Sequence, residues 1–181
     1  MVKIIMVLVF GIASIGSGLG VTAEKNKPVV ALHPCVVLTG ADSHVSKVGY
    51  HRITSMKDWA ELWQKHKGQR RGEKYDLYYN PLGLPLVDFK RYMVIGIFQG
   101  SGWNSAGLKA VSVSQEKDRI VFRFDDKSYQ TQGPDGGGEK VRVYGFFVLP
   151  RSSKPVTLEE NVQGLKGKPP VWKERVTFPK L

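Results

Sequence analysis

The spacing of apolar positions changes twice along the chain, and those changes divide it into elements. Val29 to Gly40 is apolar enough for a first strand, broken at His33-Pro34 because proline cannot donate to a ladder. Residues 40–47 read as a polar turn, and Val48 to Ile53 as a second short extended piece. The period then becomes helical. In "TSMKDWAELWQKHKG", Ser55 is placed to cap a helix, with Asp58 three residues later in the manner of a capping box. Met56, Trp59, Leu62, Trp63 and His66 fall on one face, and Gly68 supplies the stop. The tryptophans on such a stripe are core contacts, and His66 closes the same face as a packed or snorkelling residue.

A long turn-rich segment follows, Gln69 to Pro85, in which Tyr75, Tyr78 and Tyr79 stand beside Arg70, Arg71 and Lys74. A connection of that length in a compact domain is either functional or poorly ordered. Beyond it the period becomes two. Tyr92 to Phe98 is a near-continuous apolar run, the mark of a strand buried on both faces. Leu108 to Ser114 and Arg119 to Phe124 alternate, with "QEKD" as the hairpin turn between them. Residues 125–140 read as a polar, glycine-rich loop. Val141 to Leu149 is another strand, ended by Pro150, and Val156 to Val162 and Val171 to Phe178 are further extended pieces. The expected fold is α+β and β-dominated: an antiparallel sheet or sandwich with one amphipathic helix packed on it.

The first residues are a separate matter. "MVKIIMVLVFGIASIGSGLGVTA" has one early lysine, a short apolar stretch, small residues and a small-x-Ala end, which is the pattern of a secretory signal peptide over residues 1–23. Residues 24–181 are then one globular domain, exported to the periplasm, the cell surface or the medium, with no membrane span left after cleavage. Cys35 is the only cysteine, so no disulfide forms within the chain. Its context, "LHPC", puts His33 and Pro34 where a lipobox wants small residues, so the chain is not a lipoprotein by motif. The formal charge of +11 favours acidic partners without choosing among nucleic acid, anionic envelope polymers, lipid headgroups and acidic proteins.

Signs of catalysis are absent from the sequence. A nucleophile elbow needs Gly-x-Ser-x-Gly on a strand-to-helix turn. In "FQGSGWNSAGLKAV" the glycines around Ser101 are adjacent to it, Ser105 has Trp103 where the first glycine belongs, and strand alternation follows. "GPDGGGEK" lacks the Lys-Ser/Thr and the helix that a phosphate loop requires. His33, His44, His51 and His66 have no zinc spacing. The carboxylate pairs Asp125/Asp126 and Glu159/Glu160 are sequence neighbours, which point to opposite faces of a strand. The chain therefore reads as a non-enzyme with no cofactor and no metal.

Recognition is what remains. Trp103 among Gly100, Gly102, Asn104, Ser105 and Gly107 combines an amphipathic anchor with adaptable polar neighbours, the chemistry of a partner-binding edge, provided the ring points outward and does not fold back on the core. That is the first reading: a protein-binding accessory module. A second is a binder of anionic polymer or glycan, in which Tyr75, Tyr78 and Tyr79 stack on bases or sugar rings and Arg70, Arg71 and Lys74 supply charge. A third is a hydrolase with a non-standard site.

From residue 50 to residue 150 the order is a helix with "WAELW", then "LPLVDF", then "YMVIGIF", a glycine segment and alternating strands. This resembles the C-terminal domain of the PrcB family, accessory proteins of a protease complex. Val87, Asp88 and Phe89 match that family's turn, and Met93, Val94 and Ile95 match its strand. Gly100 matches the first glycine of its loop, with Gly107 near the later ones. "GWNSAG" replaces the family's Thr-Gly-Gly-Tyr segment, and the lipobox is missing. The resemblance implies a non-catalytic extracytoplasmic domain that stabilises or docks a protease.

Overall fold

A computed structural model describes residues 29–69, 83–131, 137–165 and 167–181. In chain order its elements are β1 (Val30–Leu32), β2 (Val36–Gly40), β3 (Val48–Ile53), α1 (Met56–His66), β4 (Tyr92–Trp103), β5 (Ser105–Gln115), β6 (Ile120–Ser128), β7 (Lys140–Pro150), β8 (Val156–Asn161) and β9 (Trp172–Phe178). They form a five-stranded sheet, β1-β5-β6-β8-β9, and a four-stranded sheet, β2-β7-β4-β3. The expected β-dominated sandwich with one helix is the observed architecture.

Three layers result. Met93, Ile95 and Ile97 of β4, with Phe147 and Leu149 of β7, face Ile120, Phe122, Phe124 and Leu158 across the space between the sheets. The alternate residues of the same strands, Val94, Phe98, Phe146 and Val148, lie beneath Trp59, Leu62 and Trp63 of α1. The unbroken apolar run of β4 thus has a physical cause: both its faces are covered. The helix starts as its sequence dictates, with the Ser55 hydroxyl accepting from the Asp58 N–H at 3.2 Å. The Trp59 indole N–H donates to the Pro85 carbonyl at 2.8 Å, which ties the segment before β4 to the helix.

Three sequence expectations change. The four-stranded sheet is antiparallel throughout, but the five-stranded one is mixed, because β6 and β8 pair in parallel. A parallel pair needs a crossover, and β7 supplies it by lying in the opposite sheet. The glycine segment after Phe98 is not a loop. β4 continues to Trp103, paired Gly102 to Val141 and Trp103 to Lys140, and only Asn104 separates it from β5. Residues 125–128 likewise belong to β6. In each case a ladder partner far along the chain outweighs local residues that are poor strand formers. The His33-Pro34 break carries the chain from one sheet to the other, and the last thirty residues complete the five-stranded sheet, with β9 at its edge.

The proposed signal peptide and the tyrosine-rich segment, including Arg70, Arg71, Lys74, Tyr75, Tyr78 and Tyr79, lie outside the described residues. Among the described residues no helix is long and apolar enough to cross a membrane.

Candidate functional site

The chain changes sheets at Asn104, the one residue between β4 and β5. Its φ of 52° is left-handed, a conformation asparagine tolerates better than most residues. The corner is held by several bonds. The Asn104 N–H donates to the Glu139 carbonyl at 2.9 Å, and the Glu139 N–H returns a bond to Asn104 Oδ1 at 2.7 Å. The Tyr129 N–H donates to the Asn104 carbonyl at 2.8 Å, and the Tyr129 hydroxyl reaches the Glu139 carboxylate at 2.6 Å. Trp103 is therefore mounted on fixed backbone. Trp103 is 63% exposed, so its ring does not fold back on the core. The backbone of Gly138 backs the ring: a Cβ there would stand 3.1 Å from Trp103 Cε3.

Beneath Trp103 a cleft of about 390 Å³ opens between the two sheets. The four-stranded sheet contributes Tyr50, Gln99, Gly100, Gly102 and Trp103, and the five-stranded sheet contributes Ser105, Asp126, Glu160 and Arg175. These polar groups are linked before any ligand arrives. Gln99 Nε2 donates to Glu160 Oε1 at 2.9 Å, which bridges the sheets, and Arg175 Nε donates to Glu160 Oε2 at 2.6 Å. The Ser105 hydroxyl donates to the Asp126 carboxylate and accepts from the Gly107 N–H at 3.1 Å. Burial pushes the Asp126 carboxyl above its ordinary range, opposed by the Ser105 bond. The Tyr50 hydroxyl is pushed up by burial and then by the Glu160 charge.

Four of the six residues expected to bind a partner, Gly100, Gly102, Trp103 and Ser105, line this cleft, and Asn104 supports it from behind. Gly107 serves the fold. Its φ is 118°, and a Cβ there would meet Thr39 Oγ1 and stand 2.8 Å from the Gly40 nitrogen. Gly100 sits at the bulge in β4 with φ 75°, where a Cβ would lie 2.8 Å from the Ser46 carbonyl. Ser105 is only 3% exposed, and among the described residues no histidine lines the cleft.

Sequence reasoning missed Tyr50, Gln99, Asp126, Glu160 and Arg175. It treated the acids as neighbouring pairs, whereas one member of each pair faces the same cleft. Phe124 is in register with Glu160 on β8, so the two share a face, and Asp126, two residues further along β6, shares it too. The alternation Phe122, Phe124, Asp126 was available as a signal for the inward carboxylate. The pairing of β6 with β8 was not.

Two other places bring polar or apolar groups together. Ser43 Oγ lies 3.1 Å from His66 Nδ1, but both residues are buried, and the serine oxygen also accepts from the Val45 N–H at 3.1 Å. That pair is sealed structure. A cavity of about 250 Å³ between α1 and β2, beside exposed Cys35, is walled by Leu38, Trp59, Val94 and Phe146. It offers little polar chemistry to orient a ligand, whereas the Trp103 cleft offers much. Among the described residues no three His, Cys, Asp or Glu side chains gather to hold a metal. No family model, curated protein or solved structure matches the chain.

Proposed function

We propose that the chain is an exported, non-catalytic recognition module that engages its ligand at the cleft beneath Trp103. One observation carries the reading: a tryptophan 63% exposed on a corner that the Asn104–Glu139 bonds hold in place, at the rim of a cleft that holds linked polar groups. Fixing an aromatic anchor before binding lowers the ordering cost of association. The committed hydroxyl of Ser105 and the open, unsupported position of Ser101 give a hydrolase little to work with. The resemblance to the PrcB family supplies one form of the reading, docking onto an extracytoplasmic protease. The reading through the basic tyrosine segment rests on residues outside the described ones and on the charge of +11.

The test is a crosslinked native pull-down with residues 24–181, wild type and Trp103→Ala, at low and high salt. A species retained at high salt and lost with Trp103→Ala is the expected result. Recovery that vanishes with salt and ignores Trp103 would contradict the proposal and favour an electrostatic site elsewhere.

A further inference from the structure

Building on the recognition reading, we infer that the cleft takes a neutral, polyhydroxylated ligand: one or two sugar residues of an uncharged glycan. The argument begins with charge. The chain as a whole is strongly basic at +11, yet the cleft is not. Among the described residues its one guanidinium, Arg175, is spent on Glu160 at 2.6 Å. Its remaining carboxyl, Asp126, is partly withdrawn from water and already receives the Ser105 hydroxyl. An anion finds no free positive charge among the described lining residues, and it would lose its hydration for little in return. The Asp126 carboxyl accepts from a neutral hydroxyl, which does not cancel its charge, so it stays a strong acceptor for a ligand hydroxyl. The lysine-rich peptide in the test separates that ligand from a cation.

A sugar hydroxyl is both donor and acceptor, and the cleft presents both roles. The carboxylates of Asp126 and Glu160 accept, the Gln99 amide does either, and the Tyr50 hydroxyl does either. Because Gln99, Glu160 and Arg175 already hold one another, these groups are oriented without the ligand. Trp103 supplies the remaining element, a flat apolar face at the rim on which the C–H face of a sugar ring can stack. A cavity of about 390 Å³ falls within the range typical of small-ligand sites, about 300–1,000 Å³. A protein hot spot would instead surround its tryptophan with apolar residues that exclude water. Here the cleft beside Trp103 has two apolar side chains, Val48 and Val143, among the polar groups of Tyr50, Gln99, Asp126 and Glu160.

The test is an array of neutral oligosaccharides built on glucose, mannose, galactose and N-acetylglucosamine. Calorimetry on the strongest binder follows, with heparin and a lysine-rich peptide as charged probes. The expected result is binding to at least one neutral oligosaccharide that changes by less than about twofold between about 50 and about 500 mM salt. Trp103→Ala should weaken it at least about tenfold while circular dichroism is unchanged. Glu160→Gln releases Arg175 and should weaken neutral binding while admitting heparin. No neutral oligosaccharide bound, or binding indifferent to Trp103, overturns the inference. A protein captured through Trp103 with the array silent overturns the glycan and leaves the recognition module standing. Shortening of the bound oligosaccharide overturns the non-catalytic reading and leaves the ligand class standing.

Discussion

His66 gives the chain a pH-dependent stability whose sign and size follow from its surroundings. It ends the apolar face of α1, is 1% exposed, and sits among Trp63, Phe98, Tyr144 and Phe146, with the Tyr144 ring centre 4.2 Å away. Its Nδ1 is near the Ser43 hydroxyl, and its Nε2 is buried with no hydrogen-bond partner among the described residues. Burial first, and then the charge of Lys67, hold its pKa at about 4 against an ordinary 6.5, with Asp42 opposing. The folded state therefore favours the neutral ring. Above the ordinary value the group costs nothing; as pH falls from about 6.5 to about 4 the unfolded chain takes up a proton that the folded chain refuses. The stability lost across that window is about 3 kcal/mol. Urea unfolding at several pH values, for wild type and His66→Asn, isolates the effect. His51, whose pKa is also lowered by burial and Lys65, and Asp126, which acts in the opposite sense, contribute to both proteins and cancel in the difference. His66→Asn is expected to be less stable at neutral pH but to lose less as pH falls. Parallel curves for the two proteins would refute the reasoning.

Other expectations are briefer. Gly107→Ala must force a side chain into a left-handed backbone against Thr39 and Gly40, and should cost at least about 2 kcal/mol by chemical denaturation, although the residue lies beside the candidate site. Trp103→Ala should change stability by no more than about 0.5 kcal/mol in the same assay, because the ring is exposed. Asp126→Asn keeps an acceptor for Ser105 and removes a carboxylate whose ionised form burial disfavours. It should raise the melting temperature by more at neutral than at acid pH, because the advantage of removing the charge disappears once the native carboxyl is protonated. Arg52 donates to the Pro179 carbonyl at 2.9 Å, so Arg52→Met should speed hydrogen exchange in β9 and leave α1 protected.

The fold was largely legible because its determinants are local. Ser55, Asp58 and the stripe through Trp59 and Trp63 specify a helix within one short window, and Tyr92 to Phe98 announces a strand covered on both sides. The cleft was less legible because its determinants are distant. Gln99 and Glu160 meet across 61 residues of sequence, and they do so only because β8 returns parallel to β6. Trp103 was identifiable as an anchor from its neighbours, but its direction depended on Asn104 turning the corner and Glu139 holding it. Nothing in the glycines around it marked them as strand rather than loop.

The most direct test of the central claim is an NMR titration of the isotopically labelled protein with the best neutral oligosaccharide from the array, following the indole N–H signals of its four tryptophans. The account predicts that the Trp103 signal moves together with the backbone amides of residues 99–105, while those of Trp59 and Trp63, on the buried face of α1, stay still. Signals that move at Trp172 or along α1 with Trp103 unchanged would place recognition elsewhere and contradict it.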